Sequence, residues 1–171
     1  MSIKSTIEHA GKTVAEAFMP SAMPDGDILE TLHEEHEEVQ ELLSRLVDSD
    51  EAREQKRLVV RIKQALVPHT KAEEIVVYDP VSMLKDEQPK IDGAEGYTEH
   101  ALASATLKQL ETLTANTPEF KAAAKVLKEL VAHHVEEEER NIWAQVRKNF
   151  SDEQRARMNR DFLAAKKAVR V

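Results

Sequence analysis

The sequence of 171 residues contains no cysteine, which excludes disulfides, thiolate metal sites and thiol catalysis. Glycine and proline number only 4 and 6, so the composition allows long uninterrupted helices. Aromatic residues make up 4% of the chain, and Leu, Val, Ile and Ala must therefore fill the core. These shortages favour a single helical domain with an aliphatic interior, and the chain is long enough to bury one.

Long apolar runs are also missing. No stretch approaches the roughly 18 to 20 apolar residues that span a bilayer, and the N-terminal segment lacks the apolar run and cleavage site of a secretory signal. We therefore expect a cytoplasmic protein with no membrane partner. The net charge of −8 argues against nucleic acid as the main partner, because phosphate contacts need a basic surface.

Four long amphipathic segments predict an all-α protein. Each repeats apolar residues at steps of three and four, the pattern of a helix with one buried face. The predicted helices cover residues 27–48, 51–79, 93–114 and 117–150. Because the connections between them are short, we expect antiparallel neighbours in an up-down-up-down four-helix bundle that forms a domain at 27–150.

Local signals set the expected helix boundaries. Pro68 is predicted to kink the second helix and Pro80 to end it, since proline lacks the backbone donor. A loop at 82–92 then leads into the third helix. Additional helices are expected outside the bundle: a short one with its linker at 1–26, and a basic one at 151–171. The second begins at Ser151, whose spacing to Gln154 fits a capping box.

Each long helix carries one histidine in its core-facing stripe. These histidines are His36, His69, His100 and His134. In the second and fourth helices a glutamate follows four residues later, on the same face, at Glu73 and Glu138. Buried carboxylates are costly unless they are paired or bind a cation, and no Lys or Arg lies in these rows. The six side chains are therefore predicted to surround a metal site.

The two halves of the chain repeat this arrangement. His36 and His100 are 64 residues apart, and the two HxxxE pairs are 65 residues apart. Each HxxxE pair is followed by a second glutamate and by an aromatic residue nine positions after the histidine. The repeated residues are Glu74 and Tyr78 in one half, and Glu139 and Trp143 in the other. The repeat predicts two helical hairpins related by a pseudo-twofold axis, with the site on that axis.

A competing HxxxE pair is formed by His133 and Glu137. Its helical row is polar throughout and should face water, so we favour His134 and Glu138 as the core pair.

Three further residues carry weaker signals. His33 is interpreted as a flanking residue beside the site. Tyr97 lies one turn before His100 and is interpreted as a packed core tyrosine, although it could hydrogen-bond a bound oxygen species or ligate a metal. His9 has no partner pattern and is assigned no role. The basic C-terminal helix is expected to cover one end of the bundle rather than to dock a partner.

The motifs together resemble a known family. The pattern H…HxxxE…H…HxxxE reads EEH at His36, HTKAEE at His69, TEH at His100 and HHVEEEE at His133 and His134. It resembles the hemerythrin-like (HHE cation-binding) domain over residues 27–146. The resemblance implies an antiparallel four-helix bundle with two oxo- or hydroxo-bridged iron ions. It makes the four core histidines terminal ligands and the two core glutamates bridges. Zinc or manganese would also suit such ligands.

One position departs from the oxygen-carrying members, which have a further histidine four residues after the one on the third helix. Here that position is Ser104. The resemblance then implies open positions on both irons, which favours redox turnover, NO binding or sensing over simple O2 carriage. We expect a protein that binds or reacts with O2, peroxide or NO. The alternative is a module for iron, oxygen or redox sensing, or for iron handling such as iron-centre repair, without turnover.

Two other classes of helical protein fit the sequence less well. A histidine phosphotransfer bundle needs an exposed histidine near lysine, whereas these four face the core. Ferritin-like proteins use ExxH pairs rather than HxxxE pairs.

Overall fold

The computed structural model describes residues 26–171, and all regular structure in this range is helical, as the periodicity predicts. We number the helices α1 (Ile28–Asp48), α2 (Ala52–Glu73), α3 (Asp79–Ser82), α4 (Glu87–Thr112), α5 (Pro118–Glu137), α6 (Trp143–Asn149) and α7 (Asp152–Ala168). π-helical turns join α2 to α3 (Glu74–Tyr78) and α5 to α6 (Glu138–Ile142). The short helix predicted within residues 1–26 lies outside the described residues.

Side-chain caps define three helix starts. The carboxylate of Asp27 accepts a hydrogen bond from the backbone N–H of Leu29, and Thr117 caps α5 in the same way. At α7, Ser151 and Gln154 form the capping box that their spacing predicts. Each cap satisfies a donor that the first helical turn leaves free.

Two predicted boundaries are wrong. The second long helix does not end at Pro80 but continues through the π turn into α3, which ends at Ser82. Pro80 lies in the first turn of α3, where the missing N–H costs little. The third long helix begins at Glu87, so the predicted loop at 82–92 is far shorter. Pro89 again falls in the first helical turn and is tolerated there.

The bundle interior consists of two apolar clusters. One includes Leu43, Leu58, Leu107 and Leu127, and the other includes Leu32, Val77, Trp143 and Phe162. Three of the core histidines, His36, His69 and His134, lie along the chain between members of the two clusters, and His100 precedes the part of the first cluster that α4 contributes. α1 packs against α2 and α5, and α4 packs against the same two helices. A polar layer therefore interrupts the aliphatic core at one level.

Helix α7 packs across α1 and α2. Phe162 is fully buried, and its ring lies edge-on to that of His69 with the centroids 5.7 Å apart. Arg155 contacts Asp27 at 2.7 Å, and Lys166 contacts Glu35 at 2.5 Å. None of the helices within 26–171 is both long enough and apolar enough to cross a bilayer.

Candidate metal centre

The six predicted side chains come together in the polar layer, and all of them are buried. Donor atoms of His36, His69 and Glu73 lie within 4.8 Å of one another. Donor atoms of Glu73, His100 and His134 meet the same limit. Glu73 thus belongs to two groups of potential ligands that lie side by side.

Each glutamate contacts one histidine of each group. Oε2 of Glu73 lies 3.4 Å from Nε2 of His69 and 3.3 Å from Nε2 of His100. Oε2 of Glu138 lies 3.3 Å from Nε2 of His36 and 3.6 Å from Nε2 of His134. Donors that share one cation at bond lengths of about 2 Å are separated by roughly this much. Both carboxylates are therefore placed where they could bridge two cations.

Several atoms at the centre of this layer lack hydrogen-bond partners. His36 Nε2, Glu73 Oε1 and Glu138 Oε2 are all buried without a hydrogen bond, although His36 Nε2 and Glu138 Oε2 lie 3.3 Å from each other. An unpaired buried polar atom costs about 1–3 kcal/mol, and a charged one costs more. Bound cations would satisfy all three atoms, and imidazole with carboxylate donors suits iron, manganese or zinc. The residues therefore fit a two-cation site.

An outer ring of carboxylates orients the histidines. Nδ1 of each core histidine faces one glutamate: Glu139 for His36 (3.1 Å), Glu35 for His69 (3.0 Å), Glu74 for His100 (3.3 Å) and Glu99 for His134 (2.7 Å). A carboxylate at Nδ1 holds the proton there and leaves Nε2 free to bind a metal. In all four histidines Nε2 points toward the shared glutamates.

The outer ring obeys the internal repeat. Glu35 and Glu99 each precede a core histidine by one residue, while Glu74 and Glu139 each follow a core glutamate by one. The sequence motifs EEH, TEH and EE contain these four glutamates. Helical periodicity, however, places the glutamates beside the apolar stripe that faces the core and not within it. Sequence reasoning therefore missed them as orienting groups.

The π turns bring two aromatic residues into the site. The Tyr78 hydroxyl donates to Glu73 Oε2 at 3.4 Å, and the Trp143 indole N–H donates to Glu138 Oε1 at 3.3 Å. Both pairs are five residues apart, a spacing that an α-helix places on different faces. The extra residue in each π turn restores the alignment. Tyr78 and Trp143 thus occupy equivalent positions in the two halves.

Tyr78 also contacts the histidines of one group. Its hydroxyl lies 3.4 Å from His100 Nε2 and 3.5 Å from His134 Nε2. The ring packs tightly on Gly96, where an added Cβ would lie 2.6 Å from the tyrosine Cε2. Glycine at position 96 therefore gives the tyrosine ring the space it occupies.

Burial and neighbouring charges shift the pKa values of the buried groups in different directions. Burial lowers the pKa of His69, but the carboxylates of Glu73 and Glu35 outweigh it and raise that pKa to about 10. Burial raises the pKa of Glu73, yet His69 and His100 hold it well below its usual value. Burial and the charges of Glu138 and Glu73 raise the pKa of Tyr78, so its phenol stays protonated.

The residues given weaker or competing roles lie outside the centre. The side chain of His133 is 61% exposed and reaches Glu99 at 3.5 Å. His33 is exposed and contacts Glu139 at 3.1 Å, which agrees with a flanking position. The interpretation of Tyr97 as a core residue is wrong. It lies at the surface, where its hydroxyl donates to Asp79 Oδ1 at 2.7 Å.

We expect that replacing Glu99 with alanine weakens metal binding about 10- to 100-fold, because His134 loses the group that orients it. Titration of the metal-free protein with Mn²⁺ under anaerobic conditions measures this change. Glu95→Ala is the matched control, since Glu95 lies one turn before Glu99 on the same face of α4 but its side chain is exposed. Equal affinities in the two variants would contradict the orienting role.

Comparison with known proteins agrees with this geometry. The model of the hemerythrin HHE cation-binding domain matches residues 27–146. A DNA nickase of Nostoc sp. is 30% identical over 145 residues, which is 85% of this chain and 40% of that protein. An uncharacterised hemerythrin-like protein of Schizosaccharomyces pombe is 31% identical over 61% of this chain and 51% of its own length.

The chain thus spans about half or less of the length of these two relatives. No solved structure matches it with comparable significance. The family match covers most of the chain and all six converging side chains, so this protein belongs to the hemerythrin HHE cation-binding domain family.

Proposed function

We propose that this protein is a hemerythrin-like diiron protein that binds or reacts with O2, peroxide or NO. His36 and His69 would hold one iron, His100 and His134 the other, and Glu73 and Glu138 would bridge them in an antiparallel up-down-up-down bundle. The observation that carries the proposal is the position of the two glutamates. Each contacts one histidine from each group.

When bound, an iron pair would supply a reversible change of oxidation state and open positions for a small ligand. The chain itself supplies two histidines and two shared carboxylates for each ion. The neutral phenol of Tyr78 lies beside His100 and His134 and can turn its single O–H from Glu73 to a ligand there. On the other side, the Trp143 ring stacks on His36 with the centroids 5.9 Å apart.

A second candidate function is sensing or iron handling without turnover, including repair of iron centres. The observation that favours it is the contact of Lys166 with Glu35, which in turn contacts His69. This chain of contacts connects α7 to a proposed ligand. A change of metal state could then alter how α7 packs.

Action on DNA is not part of the proposal. The Nostoc relative is named a DNA nickase, but this chain covers only 40% of it. The net charge is −8, and two cations of the basic helix α7 already have acidic partners: Arg155 contacts Asp27, the N-cap of α1, and Lys166 contacts Glu35. We expect supercoiled plasmid to stay intact in the presence of the iron-loaded protein. A cytoplasmic location remains a prediction from composition.

The decisive experiment is metal analysis with an optical spectrum of protein from iron-supplied cells. We expect about two irons per chain and charge-transfer absorption in the near ultraviolet. Adding peroxide or NO should change that spectrum if the centre is reactive. Size-exclusion chromatography of the oxidised and reduced forms tests the sensing alternative, in which the metal state changes how α7 packs. Protein without iron that also takes up no ferrous ion under anaerobic conditions would overturn the proposal.

A further inference from the structure

A cavity of about 500 Å³ opens between α2 and α4. Its inner wall includes His100, and its sides include Leu66, Leu107 and the small residues Ser104 and Ala105. Diatomic ligands need only a small part of such a volume, whereas pockets for organic ligands occupy about 300–1,000 Å³. The cavity therefore has room for an organic molecule next to one proposed ligand of the metal pair.

The pseudo-twofold repeat provides an internal comparison. The equivalent seam between α1 and α5 contains a smaller cavity of about 230 Å³, lined by Gln40, Leu43, Ser44, Lys128 and Ala132. That cavity does not include His36, the counterpart of His100. At an offset of 64 residues, Glu37, Gln40 and Glu41 occupy the positions of Ala101, Ser104 and Ala105. Small residues on α4 thus open a larger cavity on one side of the repeat than the residues of α1 allow on the other.

Two lysines give the cavity a positive rim. Lys71 and Lys108 line it, whereas the equivalent positions in the other half are Glu136 and Ser44. Lys71 forms an ion pair with Glu74 at 2.8 Å, and the other oxygen of Glu74 faces His100. Within residues 26–171, Lys108 has no acidic partner. The cavity combines apolar sides with a free cation at its mouth, in a chain of net charge −8.

We propose that this cavity binds a monocarboxylate with an apolar body. The carboxylate would pair with Lys108, and the body would lie between Leu66 and Leu107, with its far end directed toward His100. The inference rests on the proposed function in placing a metal beside His100, so that an organic substrate or effector would lie against a ligand of one metal and not of the other. Binding itself requires only the cavity and its rim.

Calorimetric titration of the iron-loaded protein with octanoate tests this inference, with 1-octanol as a neutral probe of the same body. We expect one octanoate per chain and weaker binding of 1-octanol. Lys108→Gln should weaken octanoate about two- to fivefold, because an exposed ion pair contributes up to about 1 kcal/mol, and should leave 1-octanol unchanged. Lys128→Gln is the matched control, since Lys128 lines the smaller cavity of the other half.

Filling the cavity gives a second, independent readout. Ala105→Leu should weaken octanoate at least about tenfold, because the added side chain occupies the space for the apolar body. Ala132→Leu is the control on the opposite seam, and both alanines are exposed on helices, so both variants should fold. Unchanged octanoate binding in Ala105→Leu, or equal losses in the Lys108 and Lys128 variants, would overturn the inference.

The same titration separates the inference from the proposed function. A chain that contains two irons but does not bind octanoate overturns the inference alone. Metal-free protein that binds octanoate, with the losses expected for the Lys108 and Ala105 variants, supports octanoate binding in the cavity. The proposed function is then tested separately by the metal analysis.

Discussion

Replacing Glu138 with alanine is expected to abolish paired-metal binding, whereas replacing the adjacent Glu137 with alanine is expected to preserve it. Glu138 is buried between His36 and His134, so its removal deprives both proposed metals of one ligand. Glu137 pairs instead with Arg140 and Asn141 beside the core. Metal analysis should show a fall from about two ions per chain to fewer than one for the Glu138 variant only.

The equivalent change in the other half provides the symmetry control. Glu73→Ala should reduce metal content to the same degree, because Glu73 lies between His69 and His100 in the same way. Circular dichroism should show that each variant remains helical. If the Glu138 and Glu137 variants retained equal amounts of iron, the assignment of Glu138 as a bridge would be wrong.

Loading the metal-free protein with ferrous iron under anaerobic conditions is expected to raise its stability considerably. A ligand at about 1,000 times its Kd stabilises the folded state by about 4 kcal/mol per site. For a protein of this size that corresponds to about 8–16 °C in unfolding temperature per site. Thermal denaturation followed by circular dichroism measures the shift. An unchanged unfolding temperature in protein with a full complement of iron would contradict a site that forms only on folding.

The pH dependence of this shift follows from the histidines. In the metal-free protein the pKa of His69 is raised to about 10, and the pKa values of His36 and His100 are raised as well. Groups with a raised pKa stabilise the fold fully below the unfolded value near 6.5 and lose that contribution as pH rises toward 10. The metal-free protein should therefore be less stable at pH 8.5 than at pH 6.5. Metal binding displaces these protons, so the gain on loading should be larger at pH 8.5.

The six side chains at the centre of the site could be predicted from the sequence, because the pattern that identifies them is local. A histidine that takes the place of an apolar residue in a helical stripe must face the core. This rule predicts one core histidine in each of the four long helices: His36, His69, His100 and His134. The i, i+4 spacing then added Glu73 and Glu138 without knowledge of helix packing. The structure brings all six residues together in one buried layer.

The remaining parts of the site depend on tertiary structure. The side chain of Tyr78 enters the site only because a π turn follows Glu73, and periodicity with a fixed step of 3.6 residues cannot anticipate that turn. Glu35 and Glu99 lie beside the stripe and reach a histidine of another helix, so their role depends on how the helices pack. Pro80 is predicted to end the second helix, whereas in the structure it occupies the first turn of α3, and the predicted loop at 82–92 contains Pro89, which occupies the first turn of α4.

The C-terminal helix gives the two proposed metal positions different mechanical surroundings. Lys166 of α7 contacts Glu35, the carboxylate behind His69, and Phe162 packs against the same imidazole. The corresponding carboxylate of the other half, Glu99, has no such contact with α7 among residues 26–171 and is approached by His133 instead. A force or a binding event that displaces α7 would therefore disturb His69 first, so the two proposed metals would be released in a fixed order.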